Sequence, residues 1–385
     1  MKVKTASRLG EVKEYYFSRK LKEIAQLRKD GHHVLNLGIG SPDLAPSANA
    51  IKTIVEESQK EDNHAYQSYI GIQELREAFA KWYQQYFDVS LNPDREILPL
   101  IGSKEGIMHI AMTYLEAGDE VLVPNPGYPA YRSVSKLTGA SIVEYLLSAE
   151  QNWLPDLQAL SQMNLEKVKL MWLNYPHMPT GAVAPLSFFE KLIAFAKKHN
   201  ILIVNDNPYS FILNEQPRSI FNIAGAKEVA LELNSLSKSH NMAGWRVGML
   251  SGDAYHIQNV LRFKSNIDSG MFKPLQLAAA KALANPPEWY DNLNQIYKAR
   301  QAKVFQIMDL LKCNYDVNQI GLFVWAKIPN EYKTAFDLSD EVLQKAKVFI
   351  TPGGIFGSQG DQYIRISLCS QLEVFDEAIL RIEKL

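Results

Sequence analysis

From about Ala45 to Ala280 short apolar runs alternate with stretches of helical period. The runs are Glu120 to Val123 (EVLV), Val168 to Leu173 (VKLMWL), Ile201 to Val204 (ILIV) and Val229 to Leu233 (VALEL). They are apolar at consecutive positions rather than at every second one, as expected of parallel strands covered on both faces. Between them, Leu186 to Lys198 and the segment after Gly102-Ser103, with Ile107, Ile110, Ala111 and Leu115, have the spacing of amphipathic helices. The alternation predicts an α/β fold with a three-layer large domain around a mostly parallel central sheet. Beyond it, Pro286 to Lys312 reads as one long helix with Trp289, Leu293, Ile296 and Tyr297 on its apolar side, followed by strand-like GLFVWAKIP (Gly321 to Pro329) and YIRISL (Tyr363 to Leu368). With the segment through Asp43 these predict a smaller α+β domain built from both termini. The expected division is residues 45–280 for the large domain, and 1–44 with 281–385 for the small one, with the site in the cleft between them.

Composition narrows the class without naming a chemistry. A chain of 385 residues is long for a single core. With 41 basic and 42 acidic residues there is no basic footprint for nucleic acid. No apolar run approaches the roughly 20 residues that span a bilayer, and MKVKTASRLGEVKEYYFSRK at the start has no apolar signal core. The expected location is the cytoplasm. Cys313 and Cys369 lack metal-ligand spacing and read as reduced core thiols. The adjacent histidines of HHVLNL, from His32, would point to opposite faces of a strand and are not expected to share a metal.

Candidate chemistry begins at SLSKSHNMAGWRVG, Ser235 to Gly248. A lysine placed between small polar residues in a partly dry pocket loses its proton and can form a Schiff base with a carbonyl. Lys238 is the candidate. Arg246 offers a planar fork of donors suited to phosphate, and Ser235 and Ser237 offer hydroxyls. A ligand with both an aldehyde and a phosphate is pyridoxal phosphate. Independently, NDNPYS (Asn205 to Ser210) closes the ILIV run and puts Asp206 at the carboxyl end of a strand, where α/β sheets bind ligands. A helix that starts after Gly102-Ser103 presents free N–H groups to an anion, which assigns Ser103 and Lys104 to the phosphate.

With these residues in this order, the chain resembles the fold-type I pyridoxal phosphate enzymes, in particular the class I/II aminotransferases of the aspartate aminotransferase-like superfamily. The resemblance rests on S-x-S-K followed by G-x-R-x-G and runs nearly end to end. It implies that Asp206 pairs with the pyridine nitrogen, Tyr209 bonds the phenolic oxygen, and Tyr128 of PNPGYPAY stacks on the ring. It also implies that Arg365 of YIRISL grips the substrate carboxylate, and that Ile39 and Gly40 of LGIGSPD lie against the substrate. Tyr66 would reach the phosphate of a neighbouring subunit in a homodimer. The chain departs from the family at LNYPHMPTGA, where Met178 stands in place of an asparagine that bonds the phenolic oxygen. A thioether cannot donate that bond. Either Asn174 or His177 reaches the oxygen, or Tyr209 holds it alone, and Asn174 is placed with the cofactor and substrate residues.

The function this implies is transfer of an amino group from an L-amino acid to a 2-oxo acid in two half-reactions, with Lys238 carrying the proton from Cα. The alternative on the same apparatus is a C–S β-lyase. An effector-sensing domain fused to a DNA reader is disfavoured by the few residues before LGIGSPD, and a cofactor-free homologue by the intact lysine and phosphate groups. The side-chain pocket is expected from Ile39, Tyr15, Tyr16, Phe323 and a neighbour's Asn266 to Phe272. That lining favours a neutral donor, methionine-like or aromatic, although Lys264, Lys273 or Arg132 would serve a second carboxylate.

Overall fold

A computed structural model describes residues 2–12 and 16–385. Among them are thirteen strands: β1 (Leu35–Asn36), β2 (Ile97–Leu100), β3 (Glu120–Asn125), β4 (Ser141–Leu146), β5 (Val168–Leu173), β6 (Leu202–Asp206), β7 (Ala230–Ser235), β8 (Gly248–Gly252), β9 (Asn314–Tyr315), β10 (Phe323–Lys327), β11 (Val348–Phe349), β12 (Thr351–Pro352) and β13 (Tyr363–Ser367). Seven form one sheet in the order β2-β8-β7-β6-β5-β3-β4. All its neighbouring pairs are parallel except the two that β8 makes with β2 and β7.

The consecutive apolar positions have the predicted cause. On β5, Leu170 and Trp172 pack into one cluster with Ile107, Ile110 and Tyr131, while Met171 and Leu173 pack into another with Phe188, Phe189 and Leu192. Successive side chains leave a strand on opposite sides, so a sheet with helices on both faces needs apolar residues at every position. The covering helices are Ser103–Tyr114, Pro129–Leu137 and Ala254–Lys264 on the first face, and Leu186–His199 on the second.

A second sheet, β12-β13-β10-β9, is antiparallel, and β1 pairs in parallel with β11. These strands share a cluster with the distal part of the helix Pro287–Leu310, including Tyr297, Val304 and Ile307. The near end of that helix belongs elsewhere, with Tyr290 packed beside Trp82 and Phe211. One expectation for this helix fails: Ile296 is 39% exposed. Its buried stripe is Tyr290, Leu293, Tyr297, Arg300 and Val304, whose steps of three and four leave Ile296 to the side. His32 and His33 are also not in a strand, since β1 begins at Leu35; His33 lies at the surface against Arg381. Cys313 and Cys369 are buried free thiols. Among the described residues no helix is long and apolar enough to cross a membrane.

Candidate active site

The carboxyl ends of β2, β3, β5, β6 and β7 converge on a cleft of about 570 Å³, the position that open α/β sheets give their ligands. Its far wall comes from the N-terminal segment and the smaller sheet. Into it the structure brings Ile39, Gly40, Ser103, Lys104, Tyr128, Asn174, Asp206, Tyr209, Ser235, Ser237, Lys238, Arg246 and Arg365. Tyr66, assigned to a neighbouring subunit's phosphate, lies outside this cleft, 90% exposed on the surface.

Lys238 sits on the one-turn helix Leu236–Ser239, which Ser235 caps by accepting from the Ser237 N–H. Its Nζ donates to Gly40 O at 2.5 Å. Burial is the largest influence on the ammonium and lowers its pKa, Arg365 and Arg246 push it the same way, and Cys369 and Asp206 oppose the shift. Asp206 ends β6. Its Oδ2 accepts from Tyr131 Oη at 2.8 Å, whereas its buried Oδ1 meets no donor among the described residues. Burial raises this carboxyl to about 7, although the Tyr131 bond and the Lys238 charge both pull it down. A buried carboxylate oxygen without a partner costs free energy on the order of 1–3 kcal/mol. A protonated ring nitrogen would supply the missing donor.

The opposite end of the cleft suits phosphate. The helix that Ser103 opens has no side-chain cap at Gly102, Ser235 Oγ lies 2.8 Å from Ser237 Oγ, and the exposed Arg246 guanidinium is held by a bond to Ala243 O. Gly102 has φ +80°, a left-handed backbone that favours glycine, and its lack of a Cβ leaves room for the Arg246 guanidinium, whose Nη2 would lie 2.2 Å from one. An orphaned carboxylate oxygen, a desolvated lysine and a phosphate cradle on one floor fit pyridoxal phosphate.

Arg365, on β13, is buried. Its Nη2 donates to Gly38 O at 2.8 Å, its Nη1 lies 3.3 Å from Met178 Sδ, and its Cζ is 3.9 Å from the Phe323 ring centre and 4.7 Å from that of Phe356. The alternatives around the phenolic oxygen narrow here. Asn174 lines the cleft, donating one N–H to Asp206 O and accepting from Met178 N, so its amide has a second N–H to offer, while His177 is buried against Thr180 and does not line the cleft. Tyr209 does line it, with a hydroxyl that burial keeps protonated.

The apolar wall differs from expectation. Tyr15 lies outside the described residues. Tyr16 turns away to pack on Phe336, and it is Phe17, one position on and about 100° around the helix, that faces the cleft together with Leu21. None of the three proposed extra cations lines the cleft. Lys264 is buried in an ion pair with Asp268 at 2.8 Å and donates to Tyr69 O. Arg132 pairs with Glu144 beside a separate cavity, and Lys273 starts a helix elsewhere. Sequence reasoning also missed Tyr131, which stacks on Trp172 with centroids 5.2 Å apart and holds Asp206. The signal was present in PGYPAY, since a second tyrosine three residues after Tyr128 falls on the same face of the helix that follows.

The fold and this site define a pyridoxal phosphate enzyme of the aspartate aminotransferase type. The sequence profile described as "Aminotransferase class I and II" matches residues 32–382. An LL-diaminopimelate aminotransferase of Dehalococcoides mccartyi is 41% identical over 99% of this chain and 98% of its own, and one from Halothermothrix orenii is 39% identical at the same coverage. Among solved structures, apo-BacF from Bacillus subtilis superposes with a TM-score of 0.95 at 37% identity, over 100% of this chain and 98% of that one. The chain belongs to the class I and II aminotransferases, and its cofactor is pyridoxal phosphate.

Proposed function

We propose that the chain moves the amino group of a diaminopimelate-like L-amino acid to a 2-oxo acid, with Lys238, Asp206 and Tyr209 as its catalytic residues. The carrying observation is the facing pair of Lys238 Nζ and Arg365 across one cleft, with the unpartnered Asp206 Oδ1 on its floor. Bound pyridoxal phosphate supplies an electron sink for the bond broken at Cα. Arg365 holds the substrate carboxylate as a planar fork, and Gly40 leaves room beside it, since a Cβ there would lie 2.3 Å from the Phe323 ring. Lys238 would hold the cofactor through its side-chain nitrogen and is placed to carry the Cα proton. Asp206, held by Tyr131, would pair with the ring nitrogen. Ser103, Lys104, Ser235, Ser237 and Arg246 hold the phosphate, Tyr128 covers the ring, and Asn174 fixes the turn that carries Met178. Tyr209 is a donor to the phenolic oxygen. The two half-reactions give ping-pong kinetics.

The choice of donor rests on the relatives, which are named for LL-diaminopimelate rather than for a neutral amino acid. It displaces the expectation of a methionine-like or aromatic donor to second place. That second reading keeps one observation in its favour, the apolar lining by Phe17, Leu21, Ile39, Phe323 and Phe356. A homodimer in which Tyr66 and Asn266 to Phe272 reach the neighbour's cleft would add the polar groups a second carboxylate needs. The domain limits at 44/45 and 280/281 and a cytoplasmic location complete the reading. A panel of amino donors with 2-oxoglutarate, scored by glutamate formed, tests it: turnover of LL-diaminopimelate well above methionine and phenylalanine is expected, and the reverse order would install the second reading.

A further inference from the structure

We propose that Asn125 is a positioning residue that fixes the gap between Tyr128 and Phe356, and so the fit of the amino donor; this rests on reading those two rings as walls of the substrate cleft. Asn125 ends β3 and is 1% exposed. Its Nδ2 donates to Glu144 Oε2 at 2.5 Å and to Ser358 Oγ at 3.0 Å, and its Oδ1 accepts from the Gln359 N–H at 3.1 Å. One amide therefore ties the end of the large sheet, through Glu144 on β4, to the loop 353–360 that precedes β13. Two residues further on, the Gly127 N–H donates to Phe356 O at 2.9 Å. Gly357 closes the contact: its φ is +134°, and a Cβ there would lie 2.2 Å from Asn125 Oδ1.

The rings at issue flank this tie. Tyr128 and Phe356 both line the main cleft, and both also line a second cavity of about 320 Å³ on their other side, with Arg132, Glu144 and Asn125. Rings with space behind them can swing into it unless the backbone that carries them is held. The tie is polar and its Asn125 end is buried, so removing the amide leaves the Gln359 N–H without its acceptor and lets solvent take the place of the bonds to the partly exposed Glu144 and the exposed Ser358, loosening the loop from the sheet. Arg132 pairs with Glu144 and keeps that carboxylate aimed at Asn125. The effect reaches the substrate through Phe356, whose ring centre is 4.7 Å from Arg365 Cζ.

The test uses the cofactor-loaded enzyme and three variants. Asn125→Ala is expected to raise KM for the amino donor about tenfold with kcat changed less than about threefold, and, because Tyr128 also covers the cofactor ring, to lower cofactor affinity, read from the visible absorbance, by clearly less than KM rises. Asn125→Asp sets a second carboxylate against Glu144 and is expected to be worse; adding Glu144→Gln restores a donor–acceptor pair and is expected to recover KM. Hydrogen exchange in peptides covering 353–360 must rise in Asn125→Ala, a readout that needs no substrate. The proposal is overturned if exchange there is unchanged, if kcat and cofactor affinity fall as far as KM rises, or if the double variant is no better than Asn125→Asp. Failure of the wild type to turn over any amino donor would instead strike the functional reading, and the exchange result would still decide the tie.

Discussion

The two walls of the cleft are built in opposite ways. The floor that receives the cofactor is polar, and each of its groups sits at or just beyond a strand end: Ser103 after β2, Asn174 after β5, Asp206 on β6, Ser235 and Lys238 at the end of β7. The roof that receives the substrate is aromatic and is gathered from far along the chain: Phe17 and Leu21 from the first helix, Ile39 and Gly40 from a loop, Phe323 from β10, Phe356 and Arg365 from near the end. A bond-making site needs particular atoms at fixed positions, and strand ends provide them. A side-chain pocket needs shape, which many combinations of residues can supply. Reaction class can therefore hold across relatives while the donor changes.

The largest effect expected is on the floor. Lys238→Ala should lower amino transfer at least a thousandfold and abolish the visible absorbance of the bound cofactor, since the other amine lining the cleft, Lys104, is taken up with the phosphate. Appreciable residual turnover would show that the floor does not own the chemistry. Asp206→Asn comes next, with a loss of roughly a hundredfold expected from a ring that is no longer held protonated. The same variant has a signature without cofactor. The Asp206 carboxyl lies near 7 in the folded chain against 3.8 for the free group, so between those values the folded state holds a proton that the unfolded state has released. Its contribution to stability is complete below about pH 4 and is lost as pH rises through 7. Thermal melts of cofactor-free protein should show wild type losing ground to Asp206→Asn over that window, and parallel curves would refute the shift.

How much of this the sequence disclosed follows the same division. Lys238, Asp206 and Arg246 were legible because each lies in a short motif whose spacing the chemistry imposes, and the seven-stranded sheet was legible because its strands are buried on both faces. The roof was legible only in part. Phe323 and Ile39 line the cleft as expected, but Phe17 takes the place expected of Tyr16, because one residue of helix phase decides which of the two rings faces the cleft. Phe356 lies in a stretch of glycines and turns with no periodicity to reveal it. Lys264 looked available as a cation because the pattern cannot show that Asp268, four residues away, already holds it.

Two smaller effects probe the roof. Arg365→Lys should raise KM for every amino and oxo acid by roughly ten- to a hundredfold while leaving the cofactor spectrum intact, because an ammonium cannot reproduce the fork. A spectral change would mean that floor and roof are not separable. Gly40→Ala, whose new methyl would press on Phe323, should cost bulky donors severalfold more than alanine in kcat/KM; equal losses would show that the glycine serves the backbone rather than the pocket.

The helix Pro287–Leu310 carries a consequence for motion. Its first turns are keyed to one apolar mass through Tyr290, and its Asn294 clasps the backbone at Phe211 and Leu213. Two turns later Arg300 donates two parallel hydrogen bonds to the Asp43 carboxylate, and Val304 and Ile307 are sunk in the other mass. A rod embedded at both ends cannot let the halves slide past each other. Any gaping of the mouth has to swing about this shaft or flex it, and substitutions near Asn294 should alter how fast products leave.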